Sequence, residues 1–210
     1  MITLYYHRGA CSTSNHFALE EAGVDYQAIE VHLDRLDDPV AIKVRELNPM
    51  AMTPVLVLED GTVLTQNAAT LAYIADLVPE KKLLPARNTI ERAQAESWLS
   101  FVASDLHPTL IEYIYKALPA AEDEKEKTKA LYDKRVARRL KVLEDRLADR
   151  EYILGDQYSV IDGYALIVLN WSVPAQVALD PYPNIRAYMK RLEARPAIRR
   201  VREAEGRINW

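Results

Sequence analysis

One cysteine, Cys11, stands among 210 residues, so neither an internal disulfide nor a multi-cysteine metal site can form. A lone thiol points to a reducing, cytoplasmic compartment. Basic charge is not in surplus. The 27 Lys and Arg are outnumbered by 31 Asp and Glu, a net charge of −4, where a dedicated nucleic-acid binder needs the opposite balance. No apolar run approaches the roughly 18 residues of a membrane span. Met1-Ile2-Thr3-Leu4-Tyr5-Tyr6 also lacks the basic-then-apolar order of a secretory signal. HExxH, a glycine-rich phosphate loop and GxSxG are all missing, and His7, His16, His32 and His107 show no metal-ligand spacing. These absences predict a soluble protein with no nucleic-acid partner, no membrane partner and no metal. What remains is ordinary globular composition, 49% hydrophobic and 28% charged.

The charge is divided unevenly. Residues 1–80 hold four basic and twelve acidic side chains, residues 81–210 hold 23 and 19. The shift falls at the proline-marked stretch Pro79 to Asn88, which predicts an N-terminal domain over 1–80, a linker over 81–88 and a C-terminal domain over 89–210. In the first, Ile2–Tyr6 reads as a strand and Thr13–Ala22 as a helix closed by Gly23. Tyr26–Leu33 alternates as a second strand, and a poorly defined, partly helical segment follows. Pro54–Leu58 and Thr62–Leu64 form a hairpin about Glu59-Asp60-Gly61, and Gln66–Leu77 is helical. That order predicts an α/β thioredoxin-like domain with a mixed sheet. The second domain is read as an all-α C-terminal helical bundle. It holds a long helix over Thr89–Lys116, another with Leu131, Val136, Leu140 and Leu147 on its apolar side, and a buried helix through Tyr164–Leu169. Two shorter helices close the chain. Ser159-Val160-Ile161-Asp162 has the form of a capping box. The Arg-rich tail from Arg195 to Arg207, with Glu203 and Glu205, reads as a solvated helix face.

Four places could carry chemistry. Cys11 lies between the first strand and the first helix, where backbone N–H groups and the helix dipole favour a thiolate, its own or a bound ligand's. An inert buried thiol is the commoner fate of a free cysteine, but the position favours function. With Ser12-Thr13-Ser14 following, no CxxC disulfide is available. Thr53-Pro54 starts a strand. A cis bond there would leave the Thr53 N–H and C=O to pair with an extended ligand, and an ordinary edge proline is the plainer reading. Gln66-Asn67 opens a helix and offers an anion site, with Asn67 equally explained as its N-cap. His107 follows Asp105-Leu106 late in the long helix, where a packed or surface role is the plainer one.

Taken together, Leu4-Tyr5-Tyr6, Gly9-Ala10-Cys11-Ser12, Ala18–Gly23, Leu47-Asn48-Pro49, Thr53-Pro54-Val55-Leu56 and Asp60-Gly61 resemble, in this order and spacing, the cytosolic glutathione transferases of the bacterial beta class. So do Leu64-Thr65, Asp105-Leu106-His107, Tyr152–Gln157 and the Ser159–Asp162 box, and the resemblance covers nearly the whole chain. It implies glutathione as co-substrate, a small hydrophobic electrophile as second substrate, and a homodimer. Cys11 then matches the cysteine beside the glutathione sulfur, with Ser12 and Tyr6 as rival hydroxyls, and His107 matches a histidine near the thiol. The Thr53 backbone before Pro54 pairs with the cysteinyl part of the tripeptide. Gln66 and Asn67 hold its γ-glutamyl end, and Ser104 and Asp105 reach the partner subunit's ligand. Three positions depart from the pattern: Asn67 replaces Ser or Gly, Leu36 replaces a glycyl-contacting lysine with Arg35 the nearest cation, and Pro108 replaces a lysine.

The chemistry implied is ionisation of the glutathione thiol and its attack on an electrophilic carbon in an apolar pocket walled by Tyr113 and Trp171. The alternatives are thiol–disulfide exchange through a mixed disulfide at Cys11, or a non-catalytic binding protein on the same fold.

Overall fold

In a computed structural model, which describes residues 1–117 and 121–206, the chain divides into two compact units. Among the described residues, one comprises residues 1–86 together with 195–206, the other residues 87–194.

The first unit carries β1 (Ile2–Tyr6), α1 (Thr13–Ala22), β2 (Tyr26–Glu30), α2 (Pro39–Leu47), β3 (Val55–Val57), β4 (Val63–Thr65), α3 (Asn67–Leu77) and α9 (Pro196–Glu205). The sheet runs β2-β1-β3-β4. β1 pairs with β2 in parallel and with β3 antiparallel, and β3 pairs with β4 antiparallel, as the strand–helix–strand–hairpin order predicts. The hairpin closes through Gly61 at φ 83°, with Thr62 N–H donating to the Asp60 carboxylate at 2.9 Å. Strand alternation sorts the two faces. Tyr5, Val55 and Val57 pack with Val31, Ala41 and Val44 on the α2 side. Leu4 and Leu56, paired in register, point to the other side, where Phe17, Leu19, Leu71 and Ile74 of α1 and α3 are fully buried. The segment left undefined by periodicity holds α2. Its start is written in Asp38-Pro39, because the Asp38 carboxylate accepts from Val40 and Ala41 N–H and Pro39 needs no partner in the first turn.

The tail differs from the solvated face expected of it. Ala197, Ile198, Val201 and Glu205 of α9 are buried, and α9 packs on α1. Arg195 grips Glu21 with two bonds of 2.6 and 2.9 Å, and Arg200 reaches Glu20 at 2.7 Å. The Glu205 carboxylate accepts from Thr13 Oγ1 at 2.9 Å and lies 2.8 Å from His16 Nδ1. Truncation of Glu205 strands both partners in the interior. Glu205→Ala is therefore expected to lower unfolding free energy by about 3 kcal/mol and to expose α9 to proteolysis. Urea unfolding with limited digestion checks it, and an unchanged midpoint would refute it.

The second unit carries α4 (Ile90–Phe101), α5 (His107–Glu112), α6 (Glu122–Arg146), α7 (Val160–Asn170) and α8 (Pro183–Glu193). α7 is buried on every side from Val160 to Leu169. The long helix expected over Thr89–Lys116 is interrupted by π-turns at Val102–Leu106 and Tyr113–Ala117. Pro108 explains the first, since it has no N–H for the Ser104 carbonyl and its ring crowds that group. The helix widens one turn earlier, and His107 N–H reaches back five residues to Val102 C=O. The capping box forms as read, and its Asp162 carboxylate also accepts from Ile153 N–H and Tyr188 OH. Among the described residues no helix is long and apolar enough to cross a membrane.

Candidate active site

The turn His7–Ser12 joins β1 to α1 and carries Cys11. Gly9 holds φ 73°, a left-handed conformation in which a Cβ would be strained. Ala10 N–H closes on His7 C=O at 3.0 Å, and Gly9 N–H donates to Thr13 Oγ1 at 3.2 Å. Ser12 is fully buried. Its hydroxyl donates to His7 C=O and accepts from His7 N–H and Thr53 Oγ1. The hydroxyl read as a rival thiol-stabilising group thus locks this turn to the Thr53 loop.

Cys11 is partly exposed, with Sγ 3.8 Å from Thr53 C=O. The helix end offers what the sequence suggested: the Ser12 and Cys11 N–H groups both act on the sulfur and lower its pKa. Burial outweighs them and pushes the thiol up to about 11. The Cys11 thiolate expected from the helix dipole is corrected to a neutral thiol. Tyr6, the other rival, is buried in the sheet and is pushed up to about 12 by burial, then by Glu205 and Glu30.

Thr53-Pro54 is cis. Gln66 is exposed at φ 70°, and its Nε2 approaches Met50 Sδ at 3.5 Å. The helix cap assigned to Asn67 falls on Gln66, and Asn67 is the first residue of α3. The Asn67 side chain is buried. Its Oδ1 accepts from Asn15 Nδ2, and its Nδ2 donates to Ser14 Oγ at 3.0 Å. Leu36 is exposed, and Arg45 donates to the Leu33 and Leu36 carbonyls, bracing that turn from within.

The sequence reading missed the polar opening of α1. Thr13, Ser14, Asn15 and His16 are all buried, and each finds a partner in Glu205, Cys11 C=O, Asn67 or Glu205. Four consecutive polar residues opening a helix just before Phe17 were the available signal. Nothing in the sequence pointed to Glu205 as a partner 189 residues away.

In the helical unit His107 Nδ1 lies 2.7 Å from Tyr164 OH, and the ring meets Trp171 edge-on at 4.7 Å. Burial lowers the imidazole to about 4, so it is neutral at physiological pH. Trp171 is buried beside it. Tyr113, expected as a pocket wall, is an interior residue whose hydroxyl donates to Asp133 at 2.7 Å. Ser104 is exposed and bonds back to Ser100 C=O at 2.8 Å. Asp105 pairs with Arg139 at 3.4 Å.

Comparison with known proteins follows the same division. Residues 9–77 match the family model of the glutathione S-transferase N-terminal domain and residues 99–196 that of its C-terminal domain. Glutathione S-transferase GstA of Escherichia coli O157:H7 is 32% identical over 97% of this chain and 98% of its own. A sphingomonad glutathione S-transferase solved in complex with glutathione is 34% identical with TM-score 0.87, covering 97% of this chain and 98% of that one. A bacterial beta-class enzyme of Sphingomonas chungbukensis is 33% identical with TM-score 0.86, over 97% and 98% of the two chains. With both halves matched and the sheet, capping box and bundle in place, the chain belongs to the glutathione S-transferase family.

Proposed function

We propose that this glutathione transferase binds glutathione along its N-terminal unit and ionises the thiol at the Cys11 turn for attack on a small hydrophobic electrophile. The observation that carries the reading is the placement of the Cys11 turn at the start of α1, with Sγ 3.8 Å from the Thr53 carbonyl beside the cis Thr53–Pro54 bond, where the Cys11 and Ser12 N–H groups favour a thiolate. A thiol of ordinary pKa near 8.5 is mostly protonated at pH 7, and lowering it by one to two units takes about 1.4–2.8 kcal/mol of preferential stabilisation of the thiolate. A ligand sulfur nearer solvent than Cys11 receives the same donors with less loss of hydration. Cys11, itself neutral, serves as an S–H donor and not as a base. The Thr53 backbone pairs with the cysteinyl peptide, and the exposed Gln66 with the α3 N-terminus takes the γ-glutamyl end. In the step itself the glutathione thiol loses its proton to solvent. The sulfur lone pair then forms the S–C bond, and the leaving group departs with its bonding electrons. Within this reading the enzyme is a cytoplasmic homodimer, and the exposed position of Ser104 suits a residue that reaches beyond its own chain.

Cys11→Ala tests the assignment. Conjugation of an activated aryl halide should fall by no more than about tenfold in kcat/KM, the equivalent of one 1.4 kcal/mol contact, whereas exchange with a glutathione mixed disulfide should vanish. A loss of conjugation beyond a thousandfold, or no glutathione uptake by calorimetry, would overturn it.

A further inference from the structure

The amide of Asn67 is turned into the protein, and its direction is fixed by its neighbours. Ser14 Oγ–H donates to Cys11 C=O at 2.6 Å, so the one proton of that hydroxyl is committed and it accepts from Asn67 Nδ2. Asn67 must then offer Oδ1 to Asn15 Nδ2. This arrangement leaves Asn15 Oδ1 buried without a hydrogen-bond partner, an unfavourable state that reversing the relay would relieve only by breaking it. The relay ends on a carbonyl that also receives Ser14 N–H at 3.0 Å. Cys11 C=O and Ser12 N–H belong to one planar peptide and point in opposite directions. Two donors holding the carbonyl therefore aim the N–H.

We propose that Asn67 is a positioning residue which, through Ser14, aims the Ser12 N–H at the reacting sulfur and so couples the start of α3 to the thiol turn. The proposal rests on the reading that glutathione is ionised at that turn. It assigns the two residues at the start of α3 separate tasks, with exposed Gln66 facing the ligand and buried Asn67 facing Cys11. The titratable and charged side chains packed around the turn are Cys11, Tyr6, His7, whose Nδ1 lies 2.8 Å from Val31 C=O, Arg8, which donates to Glu30 at 3.1 Å, and the His16–Glu205 pair behind α1. None of them belongs to the relay.

The test is the pH profile of kcat for conjugation of an activated aryl halide by the full-length enzyme and its Asn67→Ala, Ser14→Ala and double variants. Thiolate absorbance of each glutathione complex and the KM for glutathione are read alongside. Each single variant is expected to raise the apparent pKa of the bound thiol by about one unit, lowering kcat about three- to eightfold at pH 7 with recovery at high pH. The KM should change less than about threefold, and the double variant should match the singles because one relay is broken twice. Ser14→Ala removes a single hydroxyl and carries the test if Asn67→Ala folds poorly. A tenfold rise in KM with an unmoved pH profile would make Asn67 a ligand contact and overturn the proposal. Failure of the unaltered enzyme to take up glutathione would instead remove the reading beneath it.

Discussion

Asp162→Ala is expected to cost about 5 kcal/mol, comparable with the whole stability of an ordinary domain, and to leave the helical unit largely unfolded at 37 °C. Asp162 is completely buried. Its carboxylate accepts from Ser159 N–H at 2.7 Å, Ser159 Oγ at 2.8 Å, Ile153 N–H at 2.9 Å and Tyr188 OH at 2.8 Å. Burial raises the carboxyl pKa and the four donors pull it back. Alanine leaves two buried N–H groups and a buried phenol with no acceptor, each worth about 1–3 kcal/mol when stranded. It also releases the first turn of α7, around which the unit is built. Asp162→Asn keeps one acceptor oxygen but turns an NH2 toward donors, and should cost about half as much. Chemical unfolding followed by helix content decides it. A change below about 1 kcal/mol for the alanine variant would show that α7 is held by packing alone.

The second large effect concerns Cys11. Raised from 9.0 to about 11, the thiol is ionised in about one molecule in ten thousand at pH 7. Alkylation by iodoacetamide should climb about tenfold per pH unit from 7 to 10, close to a thousandfold in all, with no plateau in that range, because the thiolate is the reacting species. Sequence position alone gives the opposite sign: a thiolate held by the helix end would react at a rate already level by pH 8. The rate profile of the native enzyme distinguishes the two, and a plateau below pH 8 would refute the neutral thiol. Mixed-disulfide chemistry at Cys11 needs that thiolate, so the same curve bears on the redox alternative.

Several elements were legible because their signals are local. Gly23 ends α1 at φ 66° and returns its N–H to Leu19 C=O at 2.9 Å, as a helix followed by glycine requires. The Glu59-Asp60-Gly61 turn and the capping box rest on residues a few positions apart, and the order of strands and helices implied the mixed sheet. The break at Pro108 was also written in the sequence, yet the apolar spacing through Thr89–Lys116 read as one helix. Asn67 as a helix cap was a fair inference from residue type. It failed because Ser14 and Asn15 approach from another element and claim both ends of the amide.

The sequence by itself determined the two-part architecture, the family and the turn where the thiol sits, because periodicity, caps and turn residues act over short spans of chain. Only the tertiary structure decided that Glu205 lies buried against Thr13 and His16, that Ser12 is a lock, that Asn67 faces inward and that Cys11 stays protonated. Those outcomes depend on how much water each group loses and which distant donor replaces it, and neither quantity is carried by neighbouring residues.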